Sequence, residues 1–229
     1  MKAFLKKYSH AWTLLYIFIY MPWFLWLESS ITPTSDFTNL HVAFDDMIPF
    51  CELFIIPYVL WFLYIPVVVL LVLFTSKREF YYASAYLFIG MTMCLLICTL
   101  WPNGQDLRVE SFENENVFTW IMQFIYHADT NTNVFPSIHV YNSVGAFIIL
   151  CKSSVLKNKN WIKAISGILS VLIILSTMFL KQHSVLDVIG GVVLGAIMYG
   201  LVYCIIWDKV FVNNSETVNK LEECEEVRL

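Results

Sequence analysis

Charged residues are scarce in this sequence, and their scarcity excludes the ordinary classes of soluble protein. Only 14% of the 229 residues are Asp, Glu, Lys or Arg, whereas 59% are hydrophobic and 17% are aromatic. A typical soluble domain has roughly 25% charged residues. The composition therefore predicts an integral membrane protein whose main partner is the lipid bilayer, and nucleic acid is not an expected partner.

The sequence also lacks the signs of two other features, a disulfide framework and a cleavable signal peptide. The six cysteines do not form a disulfide framework, because most of them lie within or at the ends of apolar segments. The first apolar segment has bulky aromatic residues at Pro22–Leu27, where a cleavable signal peptide would need small residues. This segment is therefore expected to remain as a membrane span.

Long apolar runs are abundant instead. A helix needs roughly 20 mainly apolar residues to cross the hydrocarbon core. Six segments fit this requirement, and they predict an all-α fold, an integral membrane six-helix bundle: Ala11–Leu27, Cys51–Phe74, Tyr81–Leu100, Ser137–Ser154, Trp161–Leu180 and Val185–Trp207.

These spans divide the chain into three parts. Residues 1–80 are predicted to hold two N-terminal transmembrane helices and an outer connection, and residues 81–207 a core of four transmembrane helices. Residues 208–229 are predicted to form a flexible, acidic cytoplasmic tail. The outer segment Glu28–Pro49 is either a cap over a site or a solvated connection, and the connection is the favoured interpretation.

Basic residues indicate the orientation of the bundle. If the N-terminus is cytoplasmic, 12 of the 14 Lys and Arg residues fall on the cytoplasmic side. The two exceptions, Arg108 and Lys181, face the other way. We therefore expect a protein of the plasma (inner) membrane, with its site on the extracytoplasmic side.

The most informative motif is a histidine and an aspartate four residues apart, His183 and Asp187, at the start of an apolar helix. Residues with this spacing share one helical face, so Asp187 can accept the imidazole N–H of His183. The other ring nitrogen then keeps its lone pair for attack. This arrangement predicts a histidine nucleophile.

A second histidine lies in the motif Pro136-Ser137-Ile138-His139. Proline and serine favour a helix start at this point, where free N–H groups can receive an anion. Small residues at Gly191 and Gly195 are predicted to bring the last helix against this one. The two histidines would then come together.

These segments resemble the signature of the type 2 phosphatidic acid phosphatase (PAP2) superfamily, which also includes vanadium haloperoxidases and some lipid phosphotransferases. The likeness extends roughly from Tyr81 to Trp207. It implies that His183 is the nucleophile, that His139 protonates the departing oxygen, and that Asp187 orients His183. It also implies that Arg108 and Ser137 bind the substrate phosphate.

The sequence departs from the superfamily pattern at four positions. Trp101 replaces a lysine, Val109 a proline, Ile138 a glycine and Thr177 an arginine. Lys181 lies one helical turn beyond Thr177, and we expect it to supply the missing phosphate-binding cation.

The resemblance implies a metal-independent phosphoric ester hydrolase that removes phosphate from a lipid phosphate monoester or diphosphate through a phosphohistidine. Neither a metal nor a cofactor is expected. One alternative is a lipid headgroup phosphotransferase of the inositol phosphorylceramide synthase type, because the second and third motifs also resemble that branch. Another is a catalytically degenerate relative that binds lipid, while six spans disfavour a soluble vanadate-dependent peroxidase.

Overall fold

The computed structural model describes residues 7–112 and 115–206. The predicted acidic tail, residues 208–229, lies outside the described residues. Within the described part the chain is mainly helical, and the predicted all-α fold is confirmed.

The helices follow one another with short connections. In chain order they are α1 (Ile17–Ser30), α2 (Ala43–Asp46), α3 (Ile55–Thr75), α4 (Lys77–Leu100), α5 (Val117–Ala128), α6 (Ile138–Lys152), α7 (Asn160–Phe179) and α8 (Val185–Tyr199). Short 3₁₀ segments precede α1 and α3, at Ser9–Tyr16 and Glu52–Phe54, and a third lies between α6 and α7, at Ser154–Leu156. A π-helical segment, Gly200–Ile206, continues α8.

Five of these helical segments are long and apolar enough to cross a membrane, and the chain is an integral membrane protein. They are Ser9–Ser30, Glu52–Thr75, Lys77–Leu100, Asn160–Phe179 and Val185–Ile205. The sixth predicted span, α6, is an apolar helix of only 15 residues. At 1.5 Å per residue it measures about 22 Å, less than the roughly 30 Å of the hydrocarbon core. The expected count of six full spans is therefore not confirmed.

Helix α6 lies inside the bundle, and small residues let its neighbours approach. A Cβ added at Gly145 of α6 would lie within 3.0 Å of two carbons of the Tyr86 ring of α4. A Cβ added at Gly191 of α8 would lie 2.8 Å from the carbonyl oxygen of Ser137. Close packing between α6 and α8, predicted from the glycines, is thus confirmed.

The connections at one end of the bundle contain structure that the apolar pattern did not predict. Helix α5 begins at an Asn116 cap, whose side chain accepts hydrogen bonds from two backbone N–H groups. Two short parallel strands, β1 (Thr38–Asn39) and β2 (Asn103–Gly104), pair the connection after α1 with the connection after α4. We call this end, where α6 and α8 begin, the site end.

Cations are concentrated at the opposite end. Among the described residues, Arg108 and Lys181 are the lysines and arginines at the site end. The others lie near helix ends on the opposite side: Lys7, Lys77, Arg78, Lys152, Lys157, Lys159 and Lys163.

Candidate active site

The starts of α6 and α8 are tied to each other. Ser137 caps α6 by accepting a hydrogen bond from the Val140 N–H at 3.4 Å, and its own N–H donates to the carbonyl oxygen of Asp187 at 3.1 Å. Ser137 is fully buried. It therefore joins two helix starts, and it does not line the cavity described below.

A capping box fixes the start of α8. The Ser184 side chain accepts from the Leu186 N–H, and the Asp187 carboxylate accepts from the Ser184 N–H at 2.9 Å. The same carboxylate oxygen, Oδ2, lies 3.3 Å from Nδ1 of His183. The second oxygen, Oδ1, has no hydrogen-bond partner among the described residues. Asp187 is thus fully buried and held against His183, as the spacing of four predicted.

The two predicted histidines meet. Nε2 of His183 lies 3.4 Å from Nδ1 of His139, although the residues are 44 positions apart in the sequence. Two aromatic residues of α3 pack on the His139 ring, with centroid distances of 4.9 Å for Tyr58 and 4.5 Å for Trp61. A continuous line of contacts therefore runs from Asp187 through His183 to His139. Aromatic side chains of α3 pack against His139, the last residue of this line.

A cavity of about 300 Å³ adjoins this line. We call it the site cavity. One part of its lining is polar, with His139, His183, Gln182, Asp129, Thr130, Thr132 and Asn133. The rest is largely apolar, with Tyr20, Met21, Phe24, Leu27, Trp61, Phe62, Cys94, Leu95, Cys98 and Ile138 among its members.

Asp129 is the carboxylate of the polar wall. The residue is half-buried and lines the cavity, and desolvation raises its pKa to about 6, with the nearby Glu28 carboxylate adding to the rise. The neighbouring His183 and Arg108 oppose the shift. Sequence reasoning treated this residue only as part of a polar segment before α6.

Arg108 lies behind the wall and is not part of the cavity lining. Its guanidinium donates to the carbonyl oxygens of Tyr126, Asp129 and Thr130 at 2.6–2.8 Å, and to Oε1 of Gln182 at 2.7 Å. Burial lowers its pKa, partly offset by Asp129. Arg108, which was predicted to bind the substrate phosphate, therefore donates hydrogen bonds to oxygens of the protein itself.

Lys181 is also engaged within the protein. Its Nζ donates to the carbonyl oxygen of Asp45 at 2.7 Å, and burial lowers its pKa, opposed mainly by Asp45. Its backbone has a φ of 55°, the left-handed conformation that commonly ends a helix and that glycine adopts most easily. In this structure Lys181 closes α7 and holds α2. It does not line the site cavity, where we expected it to replace the missing arginine at Thr177.

The outer segment Glu28–Pro49, expected to be a solvated connection, is largely exposed but is bonded to the site end through two carboxylates, and none of its residues lines the site cavity. Asp45 is 2% exposed, and its carboxylate accepts from the Ser184 hydroxyl at 2.7 Å and from the Val185 N–H at 2.8 Å. A buried carboxylate needs such partners to offset its desolvation. The segment therefore anchors the start of α8.

Glu28 fixes the site end of α1 in a similar way. Its carboxylate accepts from the Thr130 N–H at 2.9 Å, from the Thr130 hydroxyl at 2.6 Å and from the Asn133 amide at 3.2 Å. The first helix is thus bonded to the polar wall. A lone acidic residue at the end of an apolar run was the available signal in the sequence.

Gln182 is a further residue that sequence reasoning missed. It is 2% exposed, lines the cavity beside His183, and its Nε2 has no hydrogen-bond partner among the described residues. An unpaired buried N–H donor can bind an anionic oxygen. Its position directly before His183 was the available signal.

Residues 99–211 match the model of the PAP2 superfamily, and this region of the chain belongs to that superfamily. The match begins at the end of α4, so it starts later than Tyr81, where we placed the resemblance. Searches of curated proteins and of solved structures gave no significant match. Membership in the superfamily supports a phosphatase-type function on lipid phosphates in general terms.

Proposed function

We propose that the protein is a metal-independent lipid phosphatase that transfers the phosphoryl group of a lipid phosphate monoester or diphosphate to His183 and then to water. The observation that carries this proposal is the line of contacts from Asp187 through His183 to His139. It combines an oriented imidazole, a second imidazole and an adjoining cavity large enough for a ligand headgroup.

His183 is the proposed nucleophile. With its Nδ1–H donated to Asp187, the lone pair of Nε2 points toward His139. Attack on phosphorus forms the N–P bond while the bond from phosphorus to the lipid oxygen breaks. The Asp187 carboxylate stabilises the positive charge that develops on the ring, as in other oriented histidine systems.

His139 is the proposed general acid for the departing oxygen. Its Nδ1 lies 3.4 Å from Nε2 of His183, so the two rings contact each other directly, whereas in-line attack places phosphorus roughly 3–3.5 Å from Nε2 and the departing oxygen beyond phosphorus. A bound phosphoryl group would therefore replace the direct contact of the two rings. In the second step His139 takes a proton from water, which attacks the phosphohistidine and releases phosphate.

In this proposal the N-termini of two helices stabilise most of the negative charge of the phosphoryl group. The N-termini of α6 and α8 provide partial positive charge, and Gln182 provides an unpaired N–H donor. The positive charge of Arg108 acts from behind the polar wall. Its guanidinium also donates to Oε1 of Gln182 and so holds that side chain in place. Ser137 and Lys181 act by positioning α8.

One observation favours a second candidate, transfer of a phospho-headgroup between lipids. No lysine or arginine of the described residues lines the site cavity, whereas the carboxyl group of Asp129 does. A phosphodiester has one negative charge and a phosphate monoester close to two, so a wall without cations suits a diester better. In this candidate an alcohol replaces water in the second step.

We propose that the site lies on the extracytoplasmic side of the plasma (inner) membrane. The distribution of the described lysines and arginines supports this orientation, because they lie mostly at the end opposite the site.

The test is release of phosphate from lipid phosphates by purified protein in liposomes, with a chelator present, beside a His183→Ala variant. Release that resists the chelator and is lost in the variant supports the phosphatase. Quenching the reaction with ³²P-labelled substrate should trap label on His183. Headgroup transfer to an added alcohol without free phosphate would replace the first candidate by the second, and inactivity throughout would leave the lipid-binding alternative.

A further inference from the structure

Helix α5 is too short to cross the membrane, and yet it contains no Asp, Glu, Lys or Arg. Its 12 residues extend about 18 Å at 1.5 Å per residue, against a hydrocarbon core of roughly 30 Å. A surface helix that packs on a protein through one face normally carries charged side chains on the face that meets water. Helix α5 therefore lacks the surface expected of a water-exposed helix.

One face of α5 packs against the ends of two membrane spans. A buried cluster joins the three helices, and its members are Met122 and Ile125 of α5, Ile55 and Tyr58 of α3, and Leu180 directly after α7. The contacts in α3 lie in its first turn, and Leu180 follows the last residue of α7. Helix α5 therefore lies at the level where these two spans begin and end, which is the boundary of the bilayer.

The other face of α5 has an apolar strip. Val117, Trp120 and Phe124 are 61%, 67% and 67% exposed, and their spacing of three, four and seven residues places them on one side of the helix. The adjoining span also starts with exposed apolar side chains, those of Leu53 and Ile56. The strip is therefore at the same level as the start of a surface that meets lipid.

The exposed face of α5 also has a polar edge. Gln123 and His127 are exposed and line a hollow in the protein surface. The carboxylates of Glu110 and Glu115 line the same hollow and are exposed too, which suits a hollow filled with water. Gln123 lies three residues beyond Trp120 on the helix, so the polar edge runs beside the apolar strip. An apolar strip with tryptophan beside a polar edge is typical of a helix at a membrane surface.

We propose that α5 is an interfacial anchor, whose strip of Val117, Trp120 and Phe124 is buried in the boundary between headgroups and acyl chains of the leaflet at the site end. Gln123 and His127 face the water beside that boundary. The strip contacts phospholipid and not a second protein, because it lies at the level where two spans of the same chain already meet the bilayer.

The anchor holds the polar wall of the site cavity at a fixed depth in the membrane. Asp129 and Thr130 line the cavity and directly follow α5 in the chain. Arg108 donates to the carbonyl oxygen of Tyr126 in the last turn of α5 and to those of both wall residues. A shift of α5 relative to the bilayer would therefore move the wall with it. The position of α5 does not depend on the reaction in the cavity, so its test is independent of the proposed function.

The test places the photoreactive residue p-benzoylphenylalanine at single positions of the full-length protein in liposomes of phosphatidylcholine and phosphatidylglycerol. Trp120 and Phe124 are the test positions, and Gln123 and His127 are the matched controls on the polar edge of the same helix. Ile168 is 62% exposed on the span α7 and gives the yield for a side chain in lipid. After irradiation, mass spectrometry separates adducts with phospholipid from adducts with a second copy of the chain.

We expect phospholipid adducts at residues 120 and 124 with a yield comparable to that at residue 168, and loss of most of that yield at residues 123 and 127. The exchange at Phe124 only adds a benzoyl group to an exposed ring, so it leaves the buried face of α5 unchanged.

Three results would overturn the proposal. Equal yields at all four positions of α5 would contradict the orientation of the helix. Yields at residues 120 and 124 as low as those at the polar edge would show that the strip faces water. Adducts of twice the protein mass at these two positions would assign the strip to a contact between two copies of the chain.

Discussion

The two halves of this chain contribute to the site in different ways. The family region, residues 99–211, supplies His139, His183 and Asp187, the groups suited to phosphoryl transfer. The preceding half supplies most of the apolar lining of the cavity and two buried or half-buried carboxylates, Asp45 and Glu28, that tie the site together.

The difference shows why a family match that covers just under half of the chain does not identify the substrate. Reactive groups are fixed locally by helix starts, which a short motif can encode. The site cavity around them is formed by packing with α1 and α3. The sequences of these two helices contain apolar residues and no motif. Chemistry and selectivity are therefore expected to respond to substitutions in different halves.

The largest effect is expected for His183→Ala. Loss of the nucleophile should lower kcat on the order of 10⁴-fold or more, because the bond between nitrogen and phosphorus can no longer form at the imidazole that Asp187 orients. Phosphate release from reconstituted protein measures it. His127→Ala is the matched control, since His127 is an exposed histidine at the same end of the molecule. Comparable activity in the two variants would remove His183 from the proposed mechanism.

Asp187→Asn should lower kcat on the order of 10²–10⁴-fold with little change in the fold, because the amide leaves the ring charge of His183 without a carboxylate. The Asn side chain can still accept from the Ser184 N–H and cap α8. The measurements are kcat and the thermal midpoint. A midpoint that collapses while kcat per folded molecule is unchanged would assign Asp187 a purely structural part.

Asp45→Asn tests whether the two halves act separately. Asp45 lies outside the family region, but its carboxylate contacts the start of α8. Loss of charge on the acceptor of the Ser184 hydroxyl and Val185 N–H should cost about 1–2 kcal/mol of local stability and lower kcat roughly tenfold. The adjacent Asp46→Asn is the control, because the Asp46 side chain is 65% exposed. Kinetics on both variants measure the contrast, and equal activity would show that α8 keeps its position without Asp45.

The smallest effect is expected for Asp129→Asn. The pKa of Asp129 is raised to about 6, so the group is mostly ionised at pH 7.5 and repels a bound phosphate, and it becomes neutral below pH 6. KM should therefore fall as the pH is lowered through about 6. The variant is neutral throughout, so its KM at pH 7.5 should be a few-fold lower than that of the unmodified protein.

Measuring KM from pH 5 to 8 in both proteins separates this effect from titration of the substrate, which is common to the two. Parallel pH profiles would mean that Asp129 does not sense the phosphate.

Much of the helical framework could be predicted because apolar runs of about 20 residues leave few alternatives to a membrane helix. The positions of the two histidine motifs at helix starts were predictable from Pro136, Ser137 and the spacing of His183 and Asp187. Helix α5 and the strand pair were not, since short elements in polar connections depend on contacts with distant segments.

The roles of the two cations show the limit of reasoning from a motif. Arg108 and Lys181 stand out in the sequence because positive charge is otherwise rare at the site end, and both were assigned to the substrate phosphate. In the folded chain each donates to carbonyl groups of the protein, those of Tyr126, Asp129 and Thr130 for Arg108 and that of Asp45 for Lys181. Buried cations bind the oxygens that packing brings to them.

The sequence by itself determined that this protein spans a membrane with helices and carries a histidine, an aspartate and a second histidine at helix starts, because hydrophobic length and helical spacing are local properties. Only the tertiary structure decided that the rings of His139 and His183 meet and that the outer segment anchors α8 through Asp45. It also decided that α1 and α3 line the site cavity beside the histidines. Those arrangements depend on contacts between segments far apart in the chain, where the shape of the packed helices, and not any short pattern, selects the partner.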